Sequence, residues 1–346
     1  MAVSDRLPAN TFVAHARKVY NPIGFAKGYN FILWFIFLGA FLGFTLARLE
    51  FLNFYGVFCS AKQSTTNHAA PGECFYWLQK PYTIGIILHL AGILPAALLA
   101  CIQFIPVVRH KAIIVHRVNG YIVILLSLVA TAGVFIILPR SFGGGLDIQT
   151  AGGALAIAFL WALLMAYINI KRLQIDQHRA WMLRAWFWAG CIITNRLILF
   201  IAAKVPTSDT RYYAMPCGKV DFILGNHTLA LYPECASFYS GENPHQNALA
   251  QSNFVKPTSA VEVAAALDSA FGMALWLAFV LHVVGVEIYL HLTPAETERL
   301  RRVSYQRQLE AGMKNPGSAG LTSDRLGDAE KWMPPQADIA KSNSSQ

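Results

Sequence analysis

Long apolar segments alternate with short polar ones along most of this chain. A helix needs about 20 consecutive apolar residues to cross a hydrocarbon core about 30 Å thick. Six segments approach or exceed that length, and prolines lie at several of their ends. They are residues 31–46, 82–105, 112–138, 151–170, 180–203 and 269–292. The pattern therefore predicts an all-α fold, a polytopic transmembrane helical bundle of six spans packed by small residues such as Gly92 and Gly133.

Composition supports the same fold class. Of the 346 residues, 55% are hydrophobic and 14% are charged, whereas soluble domains carry roughly a quarter charged residues. Lys and Arg outnumber Asp and Glu by 28 to 19, which gives a formal charge of +9. These cations lie in short segments beside the spans rather than in one basic patch. That distribution indicates contact with membrane lipids and not with nucleic acid.

The placement of Lys and Arg also predicts an orientation, because positively charged flanks stay in the cytoplasm. Eleven of them lie in the N-terminal segment and in the turns after spans two and four, so we expect both termini to be cytoplasmic. Three regions follow: a cytoplasmic N-terminal segment (1–29), a six-helix transmembrane domain (30–293) and a cytoplasmic tail (294–346). The domain has a large external loop at about 205–267, and the tail should begin as a short helix and be otherwise largely disordered.

The loops predicted to lie outside carry residues typical of an oxidising compartment. Cys59 and Cys74 follow span one, and Cys217 and Cys235 follow span five. We predict disulfides among them, although the sequence determines neither the pairing nor whether they pair at all. Asn226 begins an Asn-His-Thr glycosylation sequon in the same large loop. These features favour a multi-pass glycoprotein in the endoplasmic reticulum or plasma membrane of a eukaryote.

Titratable side chains inside the spans are candidate functional groups, because burying them in hydrocarbon is costly. His89 in span two and Arg196 in span five lie at the same depth, roughly 10 to 12 Å below the outer surface at about 1.5 Å per residue. A buried arginine needs a counter-charge. Asp268 and Glu262 at the start of span six, or an anionic ligand, would supply it. We therefore predict an outer pocket in which His89 and Arg196 are the catalytic residues.

A His-Arg dipeptide occurs at the cytoplasmic ends of two spans, as His116-Arg117 and His178-Arg179, and Arg184 follows the second one. One hypothesis is that His116 and His178 ligate the iron of haem b while the three arginines bind its propionates. The alternative is that these residues anchor the helix ends at the interface and fix the topology, which needs no cofactor.

These motifs together resemble those of a family known as predicted multi-pass membrane proteins of unknown function. The resemblance covers about residues 82–200 and implies a multi-helix core. The residues that fall on the motif positions of the family are His89, His116, Arg117, His178, Arg179, Arg184 and Arg196. The family is also distantly similar to b561-type and ferric-reductase transmembrane cytochromes, and this similarity implies a fold that is compatible with redox chemistry. The residues that carry the resemblance are His89-Leu90-Ala91-Gly92, Gln103-Phe104, His116-Arg117-Val118-Asn119-Gly120-Tyr121, His178-Arg179-Ala180-Trp181-Met182-Leu183-Arg184 and Arg196.

Three functions stay open. The first is a membrane oxidoreductase with at most one haem, whose outer pocket receives a small anionic or quinone-like lipophilic substrate. The second is a cofactor-free membrane enzyme or isomerase of lipophilic secondary metabolism, with His89 as acid or base and Arg196 stabilising an oxyanion. The third is a transporter or membrane scaffold. Proton-coupled transport is the least favoured, because no inverted repeat and no acidic residue is found in spans one to five.

Overall fold

The computed structural model describes residues 8–25, 27–60, 68–208 and 211–334. Two strands, β1 (Tyr212–Pro216) and β2 (Asn247–Gln251), pair antiparallel in the loop after the fifth span. Short 3₁₀-helices and one π-helix, Phe54–Phe58, join several α-helices. In chain order the α-helices are α1 (Thr11–Ile23), α2 (Gly28–Arg48), α3 (Cys74–Trp77), α4 (Tyr82–Gln103), α5 (Pro106–Lys111), α6 (Ile113–Ile137), α7 (Leu146–Lys171), α8 (Ile175–Ala189), α9 (Cys191–Ala202), α10 (Lys204–Ser208), α11 (Cys217–Leu224), α12 (Thr228–Leu231), α13 (Ala236–Tyr239), α14 (Ala260–His291), α15 (Pro294–Glu310) and α16 (Ser323–Leu326).

Six helical stretches of the described residues are long and apolar enough to cross a membrane. Each coincides with one of the six predicted segments, which confirms the all-α, multi-pass fold. The orientation of the termini stays a prediction. The six stretches are Gly28–Leu52, Tyr82–Gln103, Ile113–Gly144, Leu146–Lys171, Ile175–Thr207 and Ala260–His291.

Three of the spans begin at least five residues earlier than the apolar pattern predicted, at Leu146, Ile175 and Ala260. Helices α7, α8 and α14 each include an acidic residue in the first turn, namely Asp147, Asp176 and Glu262. A carboxylate near a helix N-terminus interacts favourably with the positive end of the helix dipole, so these polar turns are helical although hydropathy leaves them out. The predicted segments 151–170 and 180–203 contain no acidic residue, but the helices that form spans four and five do, because they begin before those segments.

The chain divides into two compact units. The first unit contains residues Met1–Gly152 and Arg196–Ala274, and the second contains Gly153–Asn195 and Leu275–Gln346. This division cuts across α7, α9 and α14. The two ends of each divided helix contact different neighbours and therefore belong to different units.

Helices α4 and α6 form the tightest helix pair of the first unit. A Cβ on Gly133 would lie 2.5 Å from the carbonyl oxygen of Gly85, and a Cβ on Gly92 would lie 2.7 Å from that of Leu126. Only glycine, whose side chain is a hydrogen atom, permits so close an approach, which is common between membrane helices. The predicted packing role of Gly92 and Gly133 is thus seen in the structure.

The loops of the first unit pack together with the ends of spans in two apolar cores. One core surrounds Phe54 and Trp77 and includes the disulfide of Cys59 with Cys74. The other surrounds Met215 and includes the two remaining loop cysteines. These loops therefore have a fixed structure that can hold polar side chains at the ends of the spans.

The second unit contains the tail, and its described part is folded. The side chains of Gln174 and Gln308 are fully buried; Gln308 Nε2 donates to Gln174 Oε1 over 2.9 Å, and Gln174 Nε2 donates to the Gly317 carbonyl over 3.1 Å. Residues 311–334 thus differ from the largely disordered tail that composition predicted, because buried amides need partners and this segment's backbone supplies them. Residues 335–346 lie outside the described part.

Candidate functional site

Three ionisable side chains of the first unit meet in a fully buried cluster. Glu73 precedes α3, Lys219 lies on α11 and Asp268 lies on α14, and each is at most 3% exposed. Lys219 Nζ lies 2.7 Å from Asp268 Oδ2 and 3.4 Å from Glu73 Oε1. We call these three residues the ion cluster. Asp268 was a predicted counter-charge for Arg196, but its carboxylate is paired with Lys219.

Disulfides hold two of the three chain segments that carry the ion cluster. Cys59 pairs with Cys74, which follows Glu73 directly. Cys217, which lies two residues before Lys219, pairs with Cys235. The prediction of disulfides at these four cysteines is confirmed, and the structure supplies the pairing. A crosslink removes conformations from the unfolded chain, so each bond restricts the segment that positions a charged side chain.

Burial changes the protonation of the ion cluster. Burial is the largest influence on Glu73 and raises its pKa to about 7, against the opposing effect of the Lys219 ammonium. Burial alone would lower the pKa of Lys219, but the carboxylates of Asp268 and Glu73 raise it above its ordinary value. Lys219 is therefore a permanent cation, whereas Glu73 can gain or lose a proton near neutral pH.

Phe142 links the ion cluster to Arg196. Its backbone N–H donates to Glu73 Oε2 over 3.0 Å, and its ring stacks on that of Phe271 with centroids 3.9 Å apart. The guanidinium carbon of Arg196 lies 5.3 Å from the Phe142 ring and 5.5 Å from the Phe271 ring. Cation–π contact of this kind stabilises a charge but leaves its N–H donors unused. Within the described residues Arg196 has no hydrogen bond and no ion pair.

The backbone of Phe142 is strained. Its φ of 47° and ψ of 50° lie in the left-handed region, which costs a non-glycine residue of order 1 kcal/mol or more. The strained residue is the one that touches both Glu73 and Arg196. Strain of this kind concentrates at functional sites, where the surrounding structure holds it in place.

Arg48, at the end of α2, is a second arginine of this region. Its guanidinium carbon lies 5.2 Å from the Phe44 ring and 5.1 Å from the Phe51 ring. Within the described part of the chain it has neither a hydrogen bond nor an ion pair. Arg48 and Glu73 are the two charged groups that act on Arg196 electrostatically.

The structure does not bring His89 into contact with Arg196. His89 Nδ1 lies 3.2 Å from the carbonyl oxygen of Ala130 on α6, as part of the α4–α6 packing. No hydrogen bond, ion pair or ring contact joins His89 to Arg196 in the described chain. Both residues belong to the first unit. The prediction of equal depth did not determine whether their side chains are on facing sides of the two helices. Their catalytic roles stay predictions.

The other predicted site residues are divided between the units. His116 and Arg117 belong to the first unit, and the Gln103 side chain donates to the His116 carbonyl over 3.0 Å. His178, Arg179 and Arg184 belong to the second. The haem hypothesis stays a prediction. In the described residues no group of three or more His, Cys, Asp or Glu could hold a metal ion, and a haem iron needs only two.

In the second unit each of the three residues has a partner. His178 Nδ1 lies 2.9 Å from the Ala166 carbonyl oxygen, and the Arg179 guanidinium donates to the Tyr289 hydroxyl over 3.4 Å. Arg184 forms two hydrogen bonds with Glu287, of 2.6 and 2.8 Å. Arg184 is therefore a structural arginine in this unit, and its carboxylate partner on span six was not predicted.

The predicted glycosylation site is accessible. Asn226 is exposed in the 3₁₀-helix Gly225–His227, while Thr228 of the same sequon is buried and its hydroxyl donates to the Gly225 carbonyl over 2.8 Å. Exposure of the acceptor asparagine is compatible with a glycan. The modification itself stays a prediction.

Sequence reasoning missed Glu73 and Lys219 as site residues because both lie in loops outside the spans. A signal was nevertheless present. Each lies within two residues of a loop cysteine, and a charged residue beside a crosslinked cysteine is held in place when the loop folds. Phe142 gave no signal, because neither its backbone conformation nor its stacking can be read from its type.

Comparison with known proteins supports the fold class. Residues 86–218 match a family model described as "Predicted membrane protein (DUF2306)". This match supports the expected resemblance to an uncharacterised family of membrane proteins. The match covers most of α4, all of α5 to α10, strand β1 and the first two residues of α11. No solved structure matches the chain.

Two kinds of curated relatives are similar to the chain. NADH-quinone oxidoreductase subunit J of Escherichia coli (strain K12) is 29% identical over 104 residues, which are 30% of this chain and 53% of that protein. The same subunit of Shigella flexneri gives the same values. The chain thus spans about half the length of these subunits. Ava biosynthesis cluster protein G of Aspergillus versicolor is 25% identical over 347 residues, covering 85% of this chain and 97% of that protein.

Proposed function

We propose that this protein is a membrane enzyme of lipophilic metabolism that uses its own side chains, with Arg196 stabilising negative charge on the substrate and Glu73 transferring a proton. One observation carries the proposal: Phe142 contacts both groups, through its N–H to Glu73 and its ring to Arg196. A proton donor or acceptor and a cation with unused donors thus lie on either side of one residue.

The chemistry of the two groups is complementary. Glu73 has a pKa of about 7, and an acid–base catalyst is most effective when its pKa is near the ambient pH. A guanidinium in an apolar environment stabilises a developing oxyanion far more strongly than it would in water. Lys219 and Asp268 do not contact the substrate in this proposal. They are positioning residues that keep Glu73 in place.

This proposal changes one predicted role. Proton transfer was expected from His89, whose Nδ1 contacts the Ala130 carbonyl in the helix packing. Glu73 is the titratable group that acts on Arg196 electrostatically, so we assign proton transfer to it. The role of Arg196 is unchanged from the sequence prediction.

The fungal relative adds support from outside the structure. Its name places it in a biosynthesis cluster, and the similarity extends over 85% of this chain. A role in making a small metabolite agrees with an enzyme whose site is at the end of membrane spans. We also propose that the chain is in the endoplasmic reticulum or plasma membrane of a eukaryote, with both termini in the cytoplasm.

The test uses an Aspergillus versicolor strain that lacks the relative, because such a strain supplies the intermediates of that cluster. We expect the wild-type chain to produce a lipophilic product detected by mass spectrometry of membrane extracts. Arg196→Met and Glu73→Gln should each lower its amount by about 100-fold or more, at equal levels of disulfide-bonded protein. Arg140→Met is the matched control, because Arg140 also lies over aromatic rings, those of Tyr76 and Tyr82. A product that survives both site variants would reject the proposal.

A further inference from the structure

The first helix of the chain, α1, has one apolar side. Four apolar residues recur in it at spacings of three and four residues, which places them along one side of a helix. They are Phe12, Ala16, Val19 and Ile23. The side chains of Phe12 and Val19 are 80% and 60% exposed, so the described residues leave most of this side uncovered. We call these four residues the α1 face.

Aromatic contacts join α1 to the first span. Tyr20 of α1 stacks on Phe31 of α2 with ring centroids 6.0 Å apart, and the Phe31 ring lies 6.1 Å from that of Phe35. The side chain of Phe35 is 63% exposed on a helix that is apolar enough to cross a membrane, so it faces lipid. One aromatic ring therefore separates α1 from a lipid-facing side chain.

A glycine turn holds α1 beside the ends of the second and third spans. Gly24 ends the helix in the left-handed conformation, with a φ of 105°, and its N–H donates to the Asn21 carbonyl over 2.9 Å. A Cβ on Gly24 would lie 2.9 Å from the Cβ of Pro106, the first residue of α5. A left-handed residue ends a helix, so α1 is a separate helix beside the turn that joins spans two and three.

The segments at this end of the spans carry positive charge only. Residues 8–30 and 104–118 contain six Lys or Arg residues and no Asp or Glu. Lys18, Lys27 and Lys111 among them are exposed. This end is the one predicted to be cytoplasmic, and the cytoplasmic leaflet has a negative surface potential because of its anionic lipids. The charge of this end therefore complements that of a membrane surface.

From these observations we infer that α1 lies in the plane of the membrane surface, with the α1 face in contact with acyl chains and the nearby cations bound to the headgroups of anionic lipids. Helices that are apolar on one side and rich in Lys or Arg on the other bind membranes in this way. A bilayer is favoured over a protein partner because the α1 face adjoins a side of the first span that lipid already covers. This placement of α1 is independent of the proposed function.

Nitroxide spin labels on the full-length protein in nanodiscs of phosphatidylcholine and phosphatidylserine test the position of α1. Phe12→Cys and Val19→Cys carry the label on the α1 face, and Thr11→Cys carries it on an exposed polar position as the matched control. Oxygen concentrates in the bilayer and a nickel chelate in water, so the ratio of their collision rates with the label measures immersion. This ratio should be at least about 3-fold higher at positions 12 and 19 than at position 11, since the apolar side of such a helix lies about 5 to 10 Å into the boundary between headgroups and acyl chains. Cys101 and Cys191 are buried, and the wild-type chain measures their background labelling.

Lipid composition tests the role of headgroup charge. Without phosphatidylserine the ratio at position 12 should fall at least about 2-fold, because the attraction between the cations and anionic headgroups is lost. Lys18→Glu should weaken this dependence on phosphatidylserine. Lys204→Glu is the matched control, because Lys204 is an exposed lysine at the opposite end of the spans, and it should leave the dependence unchanged. All of these variants replace exposed side chains, so each should fold.

Three outcomes would overturn the placement of α1. Equal ratios at positions 11, 12 and 19 would mean that the α1 face is in water. Labels at positions 12 and 19 that collide with neither oxygen nor nickel would mean that a second copy of the chain or another protein covers the α1 face. A ratio at position 12 that is the same with and without phosphatidylserine would mean that anionic headgroups do not bind this end of the protein.

Discussion

Arg184 and Arg196 are two arginines of the fifth span with opposite surroundings. Arg184, in the second unit, lies 4.7 Å from the Trp181 ring and forms two short hydrogen bonds with Glu287. Arg196, in the first unit, lies over Phe142 and Phe271 without any carboxylate partner in the described chain. Aromatic contact is thus common to both, and only the carboxylate distinguishes them. A paired arginine stabilises the fold, whereas an unpaired one remains available to a ligand.

The difference depends on Lys219, which occupies the carboxylates that would otherwise neutralise Arg196. Lys219→Met should leave two buried carboxylates without their cation and lower the free energy of unfolding by about 3 to 5 kcal/mol. Thermal unfolding of the detergent-solubilised protein measures this loss. The triple variant Glu73→Gln, Lys219→Met, Asp268→Asn is the control and should recover most of it, because it removes the charges as well. A small effect of Lys219→Met alone would mean that Arg196 takes over the pairing, which breaks the comparison.

The protonation of Glu73 also affects the difference between Arg184 and Arg196, because a neutral Glu73 cannot form an ion pair with Arg196. Its folded-state pKa of about 7 lies above the ordinary value of 4.5. Between these values the folded chain binds a proton that the unfolded chain does not, so stability rises as pH falls through this window, by at most about 1.4 kcal/mol per pH unit. Melting temperatures from pH 5 to pH 8 should show this trend in the wild type. A trend of the same size in Glu73→Gln would show that another group causes it.

Stability should also separate the two arginines directly. Arg184→Met removes a pair whose side chains are 19% and 37% exposed, so we expect a loss of about 1 kcal/mol. Arg196→Met removes a charge that has only aromatic contacts and should change stability by less than about 1 kcal/mol in either direction. Unfolding of both variants in one detergent measures the difference. If Arg196→Met were the more destabilising of the two, Arg196 would have a structural role that the contacts do not explain.

The smallest expected effect on stability is that of Asn226→Gln, which tests the orientation of the loops around Arg196. If these loops are outside the cytoplasm, the wild-type chain made in a eukaryotic cell should lose apparent mass on endoglycosidase treatment, and the variant should not. The exposed position of Asn226 makes the expected change in unfolding free energy within about 0.5 kcal/mol. A wild-type chain without a glycan would instead favour the opposite orientation of the spans.

The sequence alone determined the membrane fold. The number of spans, the packing role of Gly92 and Gly133 and the oxidation of four loop cysteines followed from apolar length, residue size and position along the chain. These properties are local or add up along the sequence. The polar first turns of α7, α8 and α14 escaped this reasoning because a helix dipole, which hydropathy does not measure, stabilises them.

Which polar groups meet depends instead on the way the whole chain packs. Depth along a helix predicted that His89 and Arg196 share a layer, but the side of the helix that each presents depends on how the helices are rotated and packed. Lys219 pairs with Glu73, 146 positions away, and with Asp268, 49 positions away, and no local pattern fixes the course of the loops that carry Glu73 and Lys219. Burial then set the pKa of Glu73, because the cost of a charge depends on every atom that excludes water from it.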